Sequence, residues 1–260
     1  MKKLSVVILT WNSEKEIKPC MDSLINSLIG INYEVIIVDN GSTDDSLDII
    51  ETYLLPNIQL INNTKNLGVA TARNQALRLV NGDAILILDI DTVVNKEAIF
   101  ALIQCLDADS HIGLCACKLL SSNGEVQNSC RRFPSIRYKI ENILASRNIY
   151  IENKKSQFYE KEMQGDIPFE VDYAIGACQL IRRSALNTVG LLDENIFYGP
   201  EDADFCLRLK LAGWKVVYIP TVSIVHHYQQ LTNKKLFSMM SWRHTKGLLY
   251  YFWKYRNIKN

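Results

Sequence analysis

Two kinds of apolar pattern alternate along the first 120 residues. Ser5-Val6-Val7-Ile8-Leu9 is a near-continuous apolar run of strand length, and Asn12 and Ser13 behind it are candidate helix caps. Ile17, Met21, Leu24, Ile25 and Leu28 then recur at helical spacing. Val35-Ile36-Ile37-Val38 predicts a second buried strand, ending at Asp39-Asn40-Gly41-Ser42. A helix follows from about Asp44 and a short strand near Ile58 to Ile61. Val69 to Val80 predicts another helix, and Ala84-Ile85-Leu86-Ile87-Leu88 a third strong strand. Strands wet on one face alternate apolar and polar residues. These do not, so their sheet is covered on both faces, as in a mostly parallel sheet between helices. The fold class is α/β, of the nucleotide-binding kind. Ligands of such sheets sit beyond the carboxyl ends of the strands, which directs attention to the loops there.

The later chain is less regular. Residues 134–168 combine Pro134, many charges and scattered aromatics, and read as an insertion or linking segment. Order resumes near Val171. Gly199-Pro200 introduces a helix with Glu201, Asp202 and Asp204 in its first turn and Gly213 as its stop. Two short strands are expected around Lys215 to Ile219 and Val222 to Val225. The end, Lys234 to Tyr255, sets Phe237, Met240, Trp242, Leu248, Tyr250, Tyr251, Phe252 and Trp253 among basic residues.

Composition changes this picture in two places. The net charge of +1 hides an asymmetry: residues 1–204 carry 28 acids against 19 bases, while the ten Lys and Arg beyond Asp204 meet no acid at all. A basic end of that kind suits an anionic partner such as phosphates or a membrane surface. The apolar run Leu4 to Leu9 is too brief for export or a membrane span, so a cytoplasmic protein is expected. The seven cysteines are odd in number, and Cys115-Ala116-Cys117 lacks the gap of a redox or zinc pair, so reduced thiols are expected.

Three strong strands end on polar groups: Thr10, Asp39, and Asp89-Ile90-Asp91. Parallel strands would put all three on one rim. One carboxylate there is ordinary turn chemistry, which is the competing account of Asp39. Two carboxylates one residue apart suit a hard cation, Mg²⁺ or Mn²⁺, which uses few carboxylates and shares its shell with substrate phosphates. The competing account of Asp91 is a cap on the helix beginning near Asn95.

Several stretches, taken in order, resemble family 2 glycosyltransferases. They are Val6-Val7-Ile8-Leu9-Thr10-Trp11-Asn12, Val38-Asp39-Asn40-Gly41-Ser42-Thr43-Asp44, Asn66-Leu67-Gly68, Leu88-Asp89-Ile90-Asp91-Thr92, Gly176-Ala177, Gly190-Leu191-Leu192-Asp193-Glu194 and Glu201 to Leu209. The resemblance spans nearly 1–228 and is nearest to the rhamnosyltransferase-like branch. It implies a GT-A fold over 1–230, with a nucleotide-sugar half at 1–120 and an acceptor half at 170–230. Residues 231–260 follow as a basic, aromatic helical segment. It implies inverting transfer of one sugar from a nucleoside-diphosphate sugar with Mn²⁺ or Mg²⁺. In its terms Asp39 meets the nucleotide base beside the backbone of Thr10, and Arg73 the base or phosphate. Asp89 lies near the ribose, Asp91 binds the cation, and His226 completes the cation site, with His227 as its rival. Asp202 matches the base, Glu201 and Asp204 being alternatives, and Glu201 is also a candidate contact to acceptor or sugar. Of Trp11, Phe197, Tyr198 and Trp214, whose rings could stack on a sugar, Tyr198 is the choice because it lies in the loop before those acids.

The chemistry asks for the same parts. A departing nucleoside diphosphate gathers negative charge that a cation offsets, and inversion needs a base on the far side of the sugar. Acids in a helix's first turn also stabilise its dipole by about 0.3–1 kcal/mol, which is the plain account of Glu201 and Asp202. No Q-x-x-R-W element occurs, which argues against a processive synthase. No G-x-G-x-x-G or P-loop occurs either, and no nucleic-acid partner is expected. The expected donor is a UDP- or dTDP-sugar and the acceptor a glycan or lipid-linked glycan, in a setting such as bacterial surface polysaccharide assembly. The expected place is the cytoplasm, peripheral on the inner face of the cell membrane if 234–260 meets anionic lipid. The competing classes are an inactive nucleotide-sugar-binding scaffold and a sugar-phosphate nucleotidyltransferase.

Overall fold

Among the described residues, eleven strands carry the fold. They are β1 (Leu4–Thr10), β2 (Tyr33–Asp39), β3 (Ile58–Asn62), β4 (Ala84–Asp89), β5 (Thr92–Val93), β6 (Ile112–Leu120), β7 (Cys130–Arg131), β8 (Phe169–Glu170), β9 (Tyr173–Ala174), β10 (Cys178–Arg182) and β11 (Lys215–His226). The computed structural model describes residues 3–135, 159, 162–227 and 239–258. The main sheet runs β3-β2-β1-β4-β10-β6-β11-β5, with β8 against β11, while β7 and β9 form a separate ribbon. β1 to β4 are mutually parallel, β10 is antiparallel to both neighbours, and β6 and β11 are parallel.

The near-continuous apolar runs are explained by burial on both faces. Val6 and Ile8 point into a core shared with α1 (Ile17–Ser27) and α4 (Lys96–Ala108), while Val7 points into a second core shared with α3 (Val69–Leu77). Each such side chain, fully removed from water, contributes about 2 kcal/mol. α2 (Ser46–Glu51) lies on the first face, and α5 (Arg183–Val189) and α6 (Glu201–Leu211) add to the second. All seven cysteines are free thiols.

Three local expectations change. The two strands expected over 215–225 are the single strand β11, whose pairing with β6 slips between Ile219 and Ser223, where Pro220 has no N–H to donate. Asn12 and Ser13 do not cap α1 with their side chains. Asn12 stands at φ 50° and its side chain accepts from the Thr43 amide, 2.8 Å, in the neighbouring strand-end loop. Asn95, not Asp91, caps α4, accepting from the Ala98 amide at 2.8 Å. Most of 134–168 lies outside the described residues, as does 228–238.

The last helix, α7 (Met239–Lys254), packs its inner side on the body as an amphipathic helix would. Tyr251 is buried, and a side chain at Gly247 would come within 2.4 Å of the Gly199 carbonyl. Lys254 donates to Asp193 at 2.7 Å and to Asp204 at 2.6 Å, and Tyr255 donates to Asp204 at 2.8 Å. Asp204 is wholly buried and also accepts from Arg208 at 2.9 Å. Removing that carboxylate leaves Arg208 with backbone carbonyls alone and Lys254 with Asp193 alone, so Asp204→Ala is expected to lower unfolding free energy by about 3 kcal/mol in urea titration. A loss near zero would mean that α7 is held by its apolar contacts alone.

Candidate active site

Strand register builds the rim. Thr10 lies opposite Asp39, and Leu9 opposite Asp89, so the three strand ends open side by side into a cleft of about 1130 Å³. That volume is enough for a diphosphate sugar and part of an acceptor.

After Asp89 the chain turns back, with the Thr92 hydroxyl donating to the Asp89 carbonyl at 2.7 Å. β5 then pairs with the end of β11, Thr92 against His226. This pairing carries His226 to Asp91, with Nε2 3.3 Å from Oδ1, and the His227 amide clamps the Asp91 carbonyl at 2.7 Å. Ligand atoms of Asp89, Asp91 and His226 all lie within 4.8 Å of one another. His227 itself turns aside to Ser122, 2.7 Å, so of the two histidines it is His226 that joins the carboxylates.

Gln127 was not anticipated. Its carbonyl accepts from His226 Nδ1 at 2.8 Å, and its amide donates to the His226 carbonyl at 2.8 Å. A carbonyl oxygen only accepts, so Nδ1 carries the hydrogen and Nε2 is aimed at the carboxylates. Burial alone would pull the His226 imidazolium pKa down, but the hydrogen bond to Asp91 and the charges of Asp91 and Asp89 outweigh it and hold it above the usual value. Gln127→Leu is expected to weaken Mn²⁺ binding roughly 10- to 100-fold by titration calorimetry. Unchanged affinity would mean that the imidazole needs no such support.

Two nucleotide-side residues are engaged with the protein's own groups in this structure. Arg73 is nearly buried on the cleft wall and donates to the Asp89 carboxylate and to the Gly176 carbonyl. A side chain at Gly176 would meet Arg73 Nη1 at 2.5 Å, which gives the Gly176-Ala177 motif a packing reason. Burial pushes the Asp89 pKa up, with Arg73 opposing and Asp91 adding to it. Asp39 is only 1% exposed, and its carboxylate accepts from the Gly41 and Ser42 amides and the Ser42 hydroxyl. The Thr10 carbonyl is likewise taken, by the Asn40 amide at 2.9 Å. The Thr10 hydroxyl, buried on the cleft wall, has no partner among the described residues.

On the opposite side, Glu201 and Asp202 open α6 into the cleft. Burial pushes Glu201 up to about 7, Asp202 adds to the shift, and Arg73 opposes it. Glu201 Oε2 has no partner among the described residues. Burial also raises Asp202, against the Ala203 amide at 2.7 Å and the charges of Arg131 and Arg73. Asp204, the third alternative for the base, faces Arg208, Lys254 and Tyr255 and is absent from this wall.

Tyr198 lines the cleft with its ring edge-on to His244 of α7, centroids 6.1 Å apart. Trp11 and Phe197 also line it, whereas Trp214 packs over Gly113. Arg131 and the α7 residues Met240, His244 and Leu248 also line the cleft, and none of the four was expected there. The helical spacing of the final segment was visible, but which of its sides met the cleft was not.

A mostly parallel sheet with acids at its carboxyl rim, a histidine delivered by the last strand and an acid pair across one cleft define the GT-A architecture. The sequence model "Glycosyl transferase family 2" matches residues 5–190. The chain belongs to glycosyl transferase family 2 and is a glycosyltransferase. It is 29% identical over 229 residues to the N-acetylglucosaminyl-diphospho-decaprenol L-rhamnosyltransferase of Mycobacterium tuberculosis, covering 83% of this chain and 73% of that one. It is 24% identical to the rhamnosyltransferase WbbL of Escherichia coli K12, over 98% of this chain and 94% of that one. Among solved structures, the mannosyltransferase PcManGT of Pyrobaculum calidifontis, in complex with GDP-Man and Mn²⁺, superposes with a TM-score of 0.66 at 19% identity. The match covers 100% of this chain and 65% of that one. Staphylococcus aureus TarS in complex with UDP gives a TM-score of 0.61 at 23% identity, over 86% of this chain and 60% of that one. At these identities the likeness is one of fold.

Proposed function

We propose that the protein is an inverting, cation-dependent transferase. It moves one sugar from a UDP- or dTDP-sugar to a lipid-linked glycan, in assembly of a bacterial surface polysaccharide at the cytoplasmic side of the membrane. The observation that carries this is the convergence of Asp89, Asp91 and His226 on one point, with Asp202 across the same cleft. Two carboxylates and one imidazole, with the imidazole oriented by Gln127, form a donor set that suits Mn²⁺ or Mg²⁺. When bound there, a divalent cation would offset the charge that develops on the departing diphosphate.

The remaining work falls to the chain's own groups. Asp202, raised by burial toward the range useful for a base, takes the proton of the acceptor hydroxyl. Glu201, holding its own proton near neutrality, keeps the acid pair from carrying two adjacent charges. Arg73 fixes Asp89 from below. Tyr198 offers a ring for sugar or acceptor. The catalytic unit is taken as 1–230, with donor contacts in 1–120 and acceptor contacts in 170–230. The preference for a pyrimidine base rests on the matching of Asp39 to the family motif, since its carboxylate already holds Gly41 and Ser42.

The lipid-linked acceptor and the rhamnosyl-type donor are supported by the names of the mycobacterial and Escherichia coli relatives. A panel of nucleotide-sugars, assayed for release of nucleoside diphosphate with Mn²⁺ and with chelator, tests the reading. Release from a UDP- or dTDP-sugar, lost on chelation, is expected. A protein that binds nucleotide-sugars without cleaving any would be the scaffold instead.

A further inference from the structure

The outer side of α7 is built unlike the rest of the surface. Met239, Trp242, Lys246, Leu249 and Trp253 recur at intervals of three or four residues and so share one side of the helix, and Arg256 follows in the turn beyond it. Its large apolar members are open to solvent: Met239 is 67% exposed, Trp242 63%, Leu249 65% and Trp253 61%. The two cations lie over the indoles, Lys246 5.8 Å from the Trp242 centroid and Arg256 4.9 Å from that of Trp253.

The ion pairs show which of the C-terminal bases are already engaged. Arg208, Lys210, Lys215 and Lys254 pair with Asp204, Asp172, Asp109 and Asp193, so part of the basic excess read from the sequence is neutralised within the body. Lys246 and Arg256 are not among those four, and neither forms an ion pair among the described residues.

We infer that α7 seats the protein on an anionic lipid bilayer through this stripe. Indole rings with interleaved cations are the composition that rests in the headgroup layer, the rings at the apolar boundary and the cations against lipid phosphates. No helix among the described residues is long and apolar enough to cross a membrane, so the contact is with one surface. A second copy is a poor occupant. A two-fold pairing of the stripe on itself would bring Lys246 and Arg256 of both copies together with no acid between them.

The inner side of the same helix gives the seat a purpose, on the reading of a lipid-linked acceptor. Met240, His244 and Leu248 line the cleft, and a side chain at Gly199 would meet His244 Nδ1 at 2.7 Å. Gly199 leads through Pro200 into Glu201 and Asp202. One helix thus lies between the bilayer and the acid pair, so an acceptor held in the membrane by its lipid enters along α7.

The test uses the full chain and phosphatidylcholine vesicles made with and without phosphatidylglycerol. Flotation with the anionic vesicles only is expected, weakening as salt rises. Lys246→Ala/Arg256→Ala should lower the vesicle partition coefficient on the order of 30-fold. Trp242→Ala/Trp253→Ala should lower it by at least about tenfold, and Leu79→Ala, at an exposed apolar site off the helix, should leave it unchanged. Equal flotation of the stripe variants and the wild type would overturn the seat. So would a solution dimer that only the stripe variants lose. Vesicle binding needs no nucleotide-sugar, so it stands or falls separately from the transferase reading. In the enzyme assay the stripe variants should keep cation-dependent donor hydrolysis and lose transfer to a vesicle-embedded acceptor. Full transfer to that acceptor would refute the route along α7.

Discussion

Asp91→Asn is expected to lower kcat/KM on the order of a thousandfold, about 4 kcal/mol of transition-state stabilisation, with a matching loss of Mn²⁺ affinity. Of the carboxylates on the rim, Asp91 is the one paired with His226. Its Oδ1 is 3.3 Å from His226 Nε2, and its backbone is fixed independently by the His227 amide. An amide is nearly isosteric but neutral, so the loop should keep its shape while the charge disappears. Melting temperature should therefore hold or rise slightly, because a like-charge neighbour of Asp89 is gone. Calorimetric Mn²⁺ titration beside steady-state kinetics checks both halves. A variant that binds Mn²⁺ as the wild type does would transfer the metal role to Asp89 and His226 alone.

Asp202→Asn should reduce transfer by about 10² to 10⁴ while leaving donor binding intact. The change removes the proton acceptor and leaves the cation cluster on the opposite wall alone. Because a base acts only when deprotonated, the wild-type rate should fall as pH drops through the Asp202 pKa. Burial raises that pKa, so the acid limb should lie above the ordinary carboxylate range. Glu201→Gln separates the two acids of the pair. Glu201 titrates near neutrality with one oxygen buried and unpartnered, and its amide should retain substantial turnover. If Glu201→Gln were the inactive variant and Asp202→Asn the active one, the roles would be reversed.

The strands were legible because burial on both faces leaves an apolar run that nothing else in a soluble chain requires. Asp89, Asp91 and His226 were legible as candidates because the motif order placed them at strand ends, and the cross-strand pairing of Thr92 with His226 then brought them together. Residue type does not reveal whether a polar atom is already in use. Asp39 and Arg73 illustrate this: both stand where a ligand group would, yet one is occupied by its own turn and the other by Asp89. Asp204 was one of three adjacent acids in sequence, and only the helix phase turns it away from its neighbours toward Lys254. Gln127 carried no local signal at all, since its role depends on a strand nearly a hundred residues later, the 99 that separate it from His226.

That separation has a consequence for how the protein is made. β1 to β4 lie within the first 89 residues, so the strands that present Asp89 and Asp91 are synthesised early. β11 comes near the end, and until it docks beside β5 the two carboxylates face one another without their histidine. A product cut short before His226 would keep the donor-side rim and lack the third ligand. The order of synthesis therefore brings the histidine of the proposed cation site to the rim only once the chain has passed residue 226.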